Sequence, residues 1–270
     1  MKSCVIAMAV VASMAAPARA EEAERSDRDR VLHGLPVLLG GGLYVASESL
    51  WKEAITPMEC RWCEPNWLDT GARTALKWER VRGANTASNL TGYVGTPLLG
   101  LGLLVATTAD DPDPRRWYDD TLPVLQATVA TGLVNQTLKV IAGRRRPFAT
   151  FGGEAIRARN DFHTSFFSGH TALAFAIATS SGTVASLRGY RSASTLWFGG
   201  IALASATGYL RIAADAHYLS DVLTGAIVGT AIGVAIPLLL HRDVLTDDDA
   251  PIARTRTSDE PFMFSIGTAF

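Results

Sequence analysis

Long uncharged runs, separated by short charged stretches, dominate the pattern of apolar and polar positions along the 270-residue chain. Each of the clear runs approaches the roughly 20 residues that cross a bilayer as a helix. The pattern therefore predicts an all-α fold, a polytopic membrane helical bundle of about five to six spans. A set of buried core helices in a soluble all-α protein is the alternative. The clear runs cover residues 90–109, 121–138, 171–187, 192–210 and 222–240.

The last run favours the membrane interpretation. Gly225, Gly229 and Gly233 recur every four residues within a very apolar stretch. Glycine at this spacing lets helices approach one another closely in lipid.

The first twenty residues are typical of a secretion signal. They contain Lys2, then an apolar stretch from Val5 to Ala16, and then a small-x-small cleavage pattern at Ala18-Arg19-Ala20. An uncleaved N-terminal anchor is the alternative. Either form addresses the chain to the export machinery.

The segment 31–50 is apolar but rich in glycine, and it carries a histidine and a proline, so it is a doubtful span. Residues 51–86 mix charges with tryptophans, and we expect them outside the bilayer or along its interface. The pattern divides the chain into a signal peptide or anchor (1–20), an N-terminal helix with an interfacial segment (21–89), a core (90–241) and a polar C-terminal tail (242–270).

Composition narrows the function only slightly. The formal net charge of −1 at pH 7 argues against a nucleic-acid partner. Cys60 and Cys63 form a lone CxxC, which in an oxidising compartment indicates a short disulfide or two idle thiols. A zinc site would need two further ligands nearby, and none is evident.

A first group of candidate residues follows the run 121–138. Lys139 and Arg146 are seven positions apart, so they share a helix face for as long as the helix continues. Pro147 is expected to end the helix at Arg146. Two cations at the mouth of a bundle suit a phosphate. A positive stop after a membrane helix is the alternative, and we assign Arg144 and Arg145 to it.

A second group, Ser168-Gly169-His170, directly precedes the run 171–187. Ser168 is a natural N-cap, and Gly169 lets an oxyanion approach the backbone closely. The N–H groups at a helix start favour an anion. His170 stands where it could protonate a leaving alkoxide. Taken alone, this group is better explained by a capped helix with a surface histidine.

A third group consists of Arg211, His217 and Asp221. The last two are four positions apart, so on a helix they would share a face, where the carboxylate can bond one imidazole nitrogen. That bond would fix the tautomer and leave the other nitrogen as a nucleophile or an anchor. A plain hydrogen bond without function is the alternative.

Together the three groups resemble the three-part signature of the type 2 phosphatidic acid phosphatase and vanadium haloperoxidase superfamily. Order and internal spacings match from Lys139 to Asp221, and the helical context extends to residues 90–240. Phe167 stands where the family usually has proline, and Leu210 stands where it usually has serine. The first changes how the helix is entered, and the second removes one phosphate contact. Neither removes a group that makes bonds, so we expect a tuned site.

The resemblance implies a role for each matching residue. His217 attacks phosphorus and forms a phosphoenzyme, and Asp221 orients His217. His170 protonates the leaving group and then activates water. The equatorial oxygens, over which charge spreads in the transition state, are held by Lys139, Arg146, Ser168, Gly169 and Arg211. No metal or other cofactor is expected, because these cations supply the positive charge.

The resemblance leaves several functions open. The first is a membrane phosphatase that hydrolyses a phosphomonoester or pyrophosphate of a lipid in a bacterial-type inner membrane, with its active site facing the periplasm. Lipid phosphate and membrane lipid would be its partners. The alternatives are a soluble periplasmic acid phosphatase, a vanadium-dependent haloperoxidase with vanadate as cofactor, and a non-catalytic lipid-binding protein.

Topology is a separate question. If the signal is cleaved and the chain starts outside, six spans would place the three groups in the cytoplasm. A periplasmic site therefore requires that 31–50 does not fully cross, that the signal stays uncleaved with that run lying flat, or that the N-terminus is cytoplasmic.

Overall fold

The computed structural model describes residue 28, residues 30–152 and 161–242, and residue 245. The predicted signal peptide and all but two residues of the predicted C-terminal tail lie outside these described residues. Within them the chain is mostly helical and has no β-strand. The all-α prediction is therefore confirmed.

Each of the five uncharged runs lies within a helix or nearly so, although the helices extend beyond the runs at one or both ends. One helix, over residues 81–107, contains two π-helical segments, Thr91–Gly95 and Leu98–Gly102. The helices are α1 (30–49), α2 (Lys52–Ile55), α3 (Trp67–Leu76), α4 (Val81–Thr107), α5 (Arg116–Ala142), α6 (Pro147–Phe151), α7 (Gly169–Leu187), α8 (Ala193–Ala213) and α9 (Leu219–Leu240).

Among the described helices, α4 and α9 are long and apolar enough to cross a membrane. Only 22% of the apolar window in α4 and 28% of that in α9 is buried against the rest of the protein, whereas the core helix of a soluble protein would be mostly buried. The other runs carry hydroxyl and amide side chains that lower their hydropathy. The estimate of five to six spans stays a prediction.

Helix α7 occupies the centre of the bundle, and nearly all of its residues are buried. It packs against α5, α8 and α9. The closest approach is to α9, along the glycine stripe that the sequence singled out. A Cβ atom on Gly229 would lie 2.2 Å from the carbonyl oxygen of Ala172, and one on Gly225 would lie 2.8 Å from that of Ser168. The stripe therefore brings the two backbones together, as predicted.

Helix α1 runs alongside α5 in the same direction. The Tyr44 ring lies against Gly132, where an added Cβ would meet it at 3.0 Å. Near the start of both helices, Arg30 Nε donates to Asp119 Oδ1 at 3.0 Å. This packing carries the last turn of α1, including Glu48, to the end of α5 where Lys139 lies.

The end of α5 differs from the prediction. The helix stops at Ala142 because Gly143 adopts a left-handed conformation with φ of 53° and donates its N–H to the Lys139 carbonyl, a common helix ending. Pro147 does not end α5 but begins the short helix α6, a position that proline favours. Lys139 and Arg146 therefore do not share a helix face.

The CxxC motif supports this helix ending. Cys60 and Cys63 form a disulfide, the first of the two alternatives. Between them, Arg61 donates from Nη1 to the carbonyls of Val140 and Ile141 at 3.2 and 2.9 Å. These contacts satisfy two of the carbonyl groups that every helix C-terminus leaves without a helical partner.

The contact between α7 and α9 predicts a strong asymmetry among glycine-to-alanine changes. Gly229→Ala should lower the stability by about 2 kcal/mol or more, because the backbone carbonyl it meets cannot move aside cheaply. The matched control is Gly83→Ala in α4, where an added Cβ meets nothing within 4 Å. This change should be neutral or stabilising by up to about 1 kcal/mol. Thermal unfolding of purified protein in detergent measures both, and equal melting temperatures would contradict the packing.

Candidate active site

A cavity of about 360 Å³ lies at one end of the bundle, where α5 and α8 end and α7 begins. Six of the eight residues predicted from sequence line it: Lys139, Arg146, Gly169, His170, Arg211 and His217. The other two, Ser168 and Asp221, are fully buried beside it. The structure thus brings all three sequence groups to one place.

His217 lies in the loop between α8 and α9 and is only 2% exposed. Its Nδ1 is 2.8 Å from the carbonyl oxygen of Ser165, and its Nε2 is 3.2 Å from Nη1 of Arg146. A carbonyl only accepts and a guanidinium only donates. Both contacts therefore require the same neutral tautomer, with the proton on Nδ1. The lone pair of Nε2 is left beside the cavity.

The surroundings of His217 favour this neutral form. Burial lowers the pKa of the imidazole well below its ordinary value of 6.5, and the nearby cations Arg146, Arg211 and Lys139 lower it further. The hydrogen bond to Ser165 acts in the opposite direction and is outweighed. At neutral pH the imidazole therefore has a lone pair available for attack.

Asp221 is placed differently from the prediction. His217 precedes α9 and does not share a helix face with Asp221, since Tyr218 is the N-cap of that helix. The carboxylate oxygen Oδ2 is 3.7 Å from His217 Nδ1, too far for a hydrogen bond. It accepts instead from Ser165 Oγ at 2.6 Å and from the Tyr218 N–H at 2.9 Å. Asp221 thus reaches His217 through Ser165.

Arg146 is almost fully buried, and its guanidinium is held on several sides. Nε donates to the carbonyl of Asp161 at 2.8 Å, and Nη2 pairs with the carboxylate of Asp161 at 2.8 Å. Nη1 donates to the carbonyl of Ala216 at 3.1 Å as well as facing His217. The guanidinium is thereby fixed beside the imidazole before any substrate arrives.

Lys139 faces Glu48 across the cavity, with Nζ 3.5 Å from Oε1. Glu48 also pairs with Lys52 at 3.3 Å. Gly169 lies close by, because a Cβ placed there would come 3.4 Å from Nζ of Lys139 and 2.7 Å from Oδ1 of Asn135. Glycine at this position therefore lets the start of α7 lie close to α5 beside the cavity.

The site contains residues from α4 that sequence reasoning missed. Arg211 donates from Nη1 to Oδ1 of Asn85 at 2.9 Å and to Oγ of Ser88 at 3.0 Å. One turn along α4, Oδ1 of Asn89 is 2.8 Å from Nε2 of His170. The recurrence of polar residues at positions 85, 88 and 89, just before an uncharged run, was the available signal.

Tyr93 completes the surroundings of His170. The two rings lie 4.3 Å apart between centroids, and the Tyr93 hydroxyl is 3.4 Å from Nδ1 of His170. Burial lowers the pKa of His170 well below 6.5, with Arg211 and His217 contributing next. These surroundings therefore favour the neutral form of His170.

Ser168 occupies the N-cap position of α7, as predicted, but its side chain makes no capping bond. Its hydroxyl oxygen accepts from Thr171 Oγ1 at 2.9 Å, and its N–H donates to the carbonyl of Asp221 at 3.1 Å. Ser168 is fully buried and does not line the cavity. Its assignment as a phosphate ligand stays a prediction.

The sequence analysis assigned Arg144 to the positive charges that follow a membrane helix, and this assignment was wrong. The side chain is 1% exposed and donates to the carboxylates of Asp221 and Asp69, the latter at 2.6 Å. Its guanidinium lies over the rings of Trp62 and Tyr218, at 3.9 and 4.4 Å from their centroids. A buried arginine between two carboxylates belongs to the interior of the site. Arg145 Nη2 lies 3.1 Å from Cys60 Sγ and stays outside it.

A comparison with family models agrees with this geometry. The model described as PAP2 superfamily matches residues 120–244. This match is consistent with the superfamily that the three sequence groups resemble. No curated protein and no solved structure matches the chain significantly.

The matched segment contains all eight residues predicted from sequence, but not the whole cavity. Glu48 and Tyr93, which line the cavity, and Asn85 and Asn89, which hold its side chains, precede the matched segment. Asp69, beneath Arg144, precedes it too. Helices α1, α3 and α4 therefore complete a site whose eight predicted residues lie in the matched segment.

In the part of the chain that the structure describes, no group of three or more His, Cys, Asp or Glu side chains could hold a metal ion. Positive charge at the cavity comes from four lining side chains: Lys52, Lys139, Arg146 and Arg211. An anion with several oxygens, such as a phosphate ester, is the ligand that this arrangement suits.

The contacts of His217 predict its protonation state. In protein labelled with ¹⁵N-histidine, His217 should be neutral at pH 6.5, with the proton on Nδ1 and none on Nε2, because its pKa lies well below 6.5. Heteronuclear NMR distinguishes the two tautomers, and the His217→Gln spectrum assigns the signal. An imidazolium, or a proton on Nε2, would contradict the geometry.

Proposed function

We propose that this protein is a phosphatase that hydrolyses a phosphomonoester or pyrophosphate of a membrane lipid through a phosphohistidine at His217. The observation that carries the proposal is the unprotonated Nε2 of a buried neutral imidazole, facing a cavity lined by Lys139, Arg146 and Arg211. A nucleophile within a cationic cavity suits attack on phosphorus.

In the first step, Nε2 of His217 bonds to phosphorus while the phosphorus–oxygen bond to the leaving group breaks. Arg146 Nη1, which faces Nε2 of His217, donates to a phosphate oxygen once substrate is bound. The leaving alkoxide takes a proton from His170. A second phosphorus–oxygen bond then forms from water, which His170 deprotonates, and the phosphorus–nitrogen bond breaks to release inorganic phosphate.

The role of His170 requires it to carry a proton when substrate is bound. Burial and the neighbouring cations lower the pKa of His170. A bound phosphate dianion offsets those cations and adds negative charge, so it raises the pKa of His170 toward the range of a useful acid. Asn89 and Tyr93 hold the ring in place meanwhile.

A lipid substrate is supported by the outer surface of the helices near the cavity. Large apolar side chains point outward on α1, α4 and α9, and among them Leu38 is 72%, Leu98 70% and Ile227 69% exposed. Such surfaces suit a hydrocarbon environment, so an amphiphile could keep its tail in lipid while its head group enters the cavity. We propose an inner-membrane location with the cavity facing the periplasm.

The decisive experiment is a phosphate-release screen across lipid phosphates and pyrophosphates, with p-nitrophenyl phosphate as a soluble reference. Wild-type protein without vanadate should release phosphate, and His217→Ala should lose activity by at least about 10³-fold, because no other group can form the intermediate. His163→Ala is the control, since His163 contacts the Pro57 carbonyl outside the cavity.

The screen also separates the alternatives. A preference for soluble esters over every lipid phosphate would favour a soluble acid phosphatase. Halide oxidation with vanadate, without phosphate release in its absence, would favour a haloperoxidase. Activity that survives in His217→Ala would contradict the phosphohistidine mechanism itself.

The proposal also predicts independence from metals. Because arginine and lysine side chains supply the charge at phosphorus, phosphate release should be unchanged by EDTA at millimolar concentration and by subsequent addition of Mg²⁺ or Zn²⁺. Rates before and after chelation measure this directly. A loss that added metal restores would show that a metal takes part.

A further inference from the structure

Two side chains of helix α3 bind residues on both sides of His217 in the sequence. Helix α3 itself precedes the segment that matches the PAP2 superfamily. On one side, Arg73 forms a bidentate pair with Asp215, from Nε at 2.6 Å and from Nη2 at 2.9 Å. On the other side, Asp69 accepts from the N–H of Ser220 at 2.9 Å and from its hydroxyl at 2.8 Å.

Asp69 and Arg73 are four residues apart, so their side chains project from the same face of α3. The backbone they hold is unusual, because Asp215 has a positive φ of 57°, a conformation that few residues other than glycine adopt. The Arg73 guanidinium also lies over the Phe151 ring, 4.1 Å from its centroid. These contacts fix the two ends of the loop that presents His217.

Asp69 has a second connection to the nucleophile through buried polar contacts. It accepts from Nη2 of Arg144, whose Nη1 donates to Asp221. Asp221 in turn accepts from the hydroxyl of Ser165, whose carbonyl faces Nδ1 of His217. The carboxylates of Asp69 and Asp221 are both fully buried.

We propose that Asp69 and Arg73 are positioning residues of the active site. They set where His217 Nε2 stands relative to phosphorus, and they do so without touching the substrate. This inference rests on the proposed function, because positioning has a meaning only if His217 is the nucleophile. Neither residue lines the cavity, so the cations that bind phosphate are left intact when either is changed.

The test separates binding from bond-making. Asp69→Asn retains an acceptor for Ser220 and removes the charge that faces Arg144. Arg73→Met removes the bidentate pair, and Arg73→Lys restores one arm of it. The matched control is Glu79→Gln, the same chemical change as Asp69→Asn on an exposed carboxylate after α3.

In Asp69→Asn and Arg73→Met we expect kcat to fall about 10- to 100-fold, because displacing a reacting atom by about 1 Å costs that much. The inhibition constant of inorganic phosphate should change by less than about threefold, since its ligands remain. Arg73→Lys should recover part of the lost kcat, and Glu79→Gln should match the wild type.

Two outcomes would overturn the proposal. Wild-type kcat in both Asp69→Asn and Arg73→Met would show that α3 does not position His217. Weakened phosphate inhibition in parallel with kcat would show that these residues only keep the cavity folded. If Asp69→Asn does not fold, the comparison of Arg73→Met with Arg73→Lys decides the matter. An inactive wild-type protein would instead contradict the proposed function.

Discussion

The arrangement of the whole site depends on one electrostatic constraint: several cationic side chains must be brought together in a poorly solvated cavity. Their mutual repulsion and the loss of hydration both oppose this. The structure offsets the cost separately for each cation. Glu48 faces Lys139, Asp161 pairs with Arg146, and the side chains of Asn85 and Ser88 accept from Arg211. Most of these partners come from α1 and α4, so the helices that precede the matched segment 120–244 are part of the site.

The helices could be predicted from sequence because their signal is local. Each uncharged run became a helix, and the glycine stripe of α9 indeed meets the backbone of α7. The predicted end of α5 at Arg146 was wrong. The helix ends at Ala142 because Gly143 adopts a left-handed conformation, four residues before Pro147. The short helices α2 and α3 lie in the segment 51–86, whose mixture of charges and tryptophans predicted an interfacial segment without specifying its helices.

The sequence predicted which residues form the site, but not the hydrogen bonds and ion pairs among them. Spacing and the family resemblance together identified His217 and Asp221. The spacing implied a direct bond between them, whereas in the structure both contact Ser165. Arg144 looked like a charge that follows a membrane helix, because its partner Asp69 lies 75 positions away in the chain. Contacts of this kind join segments that are far apart in the sequence and become neighbours only in the folded chain. A local sequence pattern therefore cannot predict them.

The proposed function depends on the formation of a covalent phosphohistidine at His217. The most direct measurement is to quench a reaction with ³²P-labelled lipid phosphate within the first turnover and to map the label by peptide mass spectrometry. We expect a phosphoryl group on His217 that is stable in alkali and labile in acid. Phosphate release at the full rate with no labelled histidine, or with the label on another residue, would contradict it.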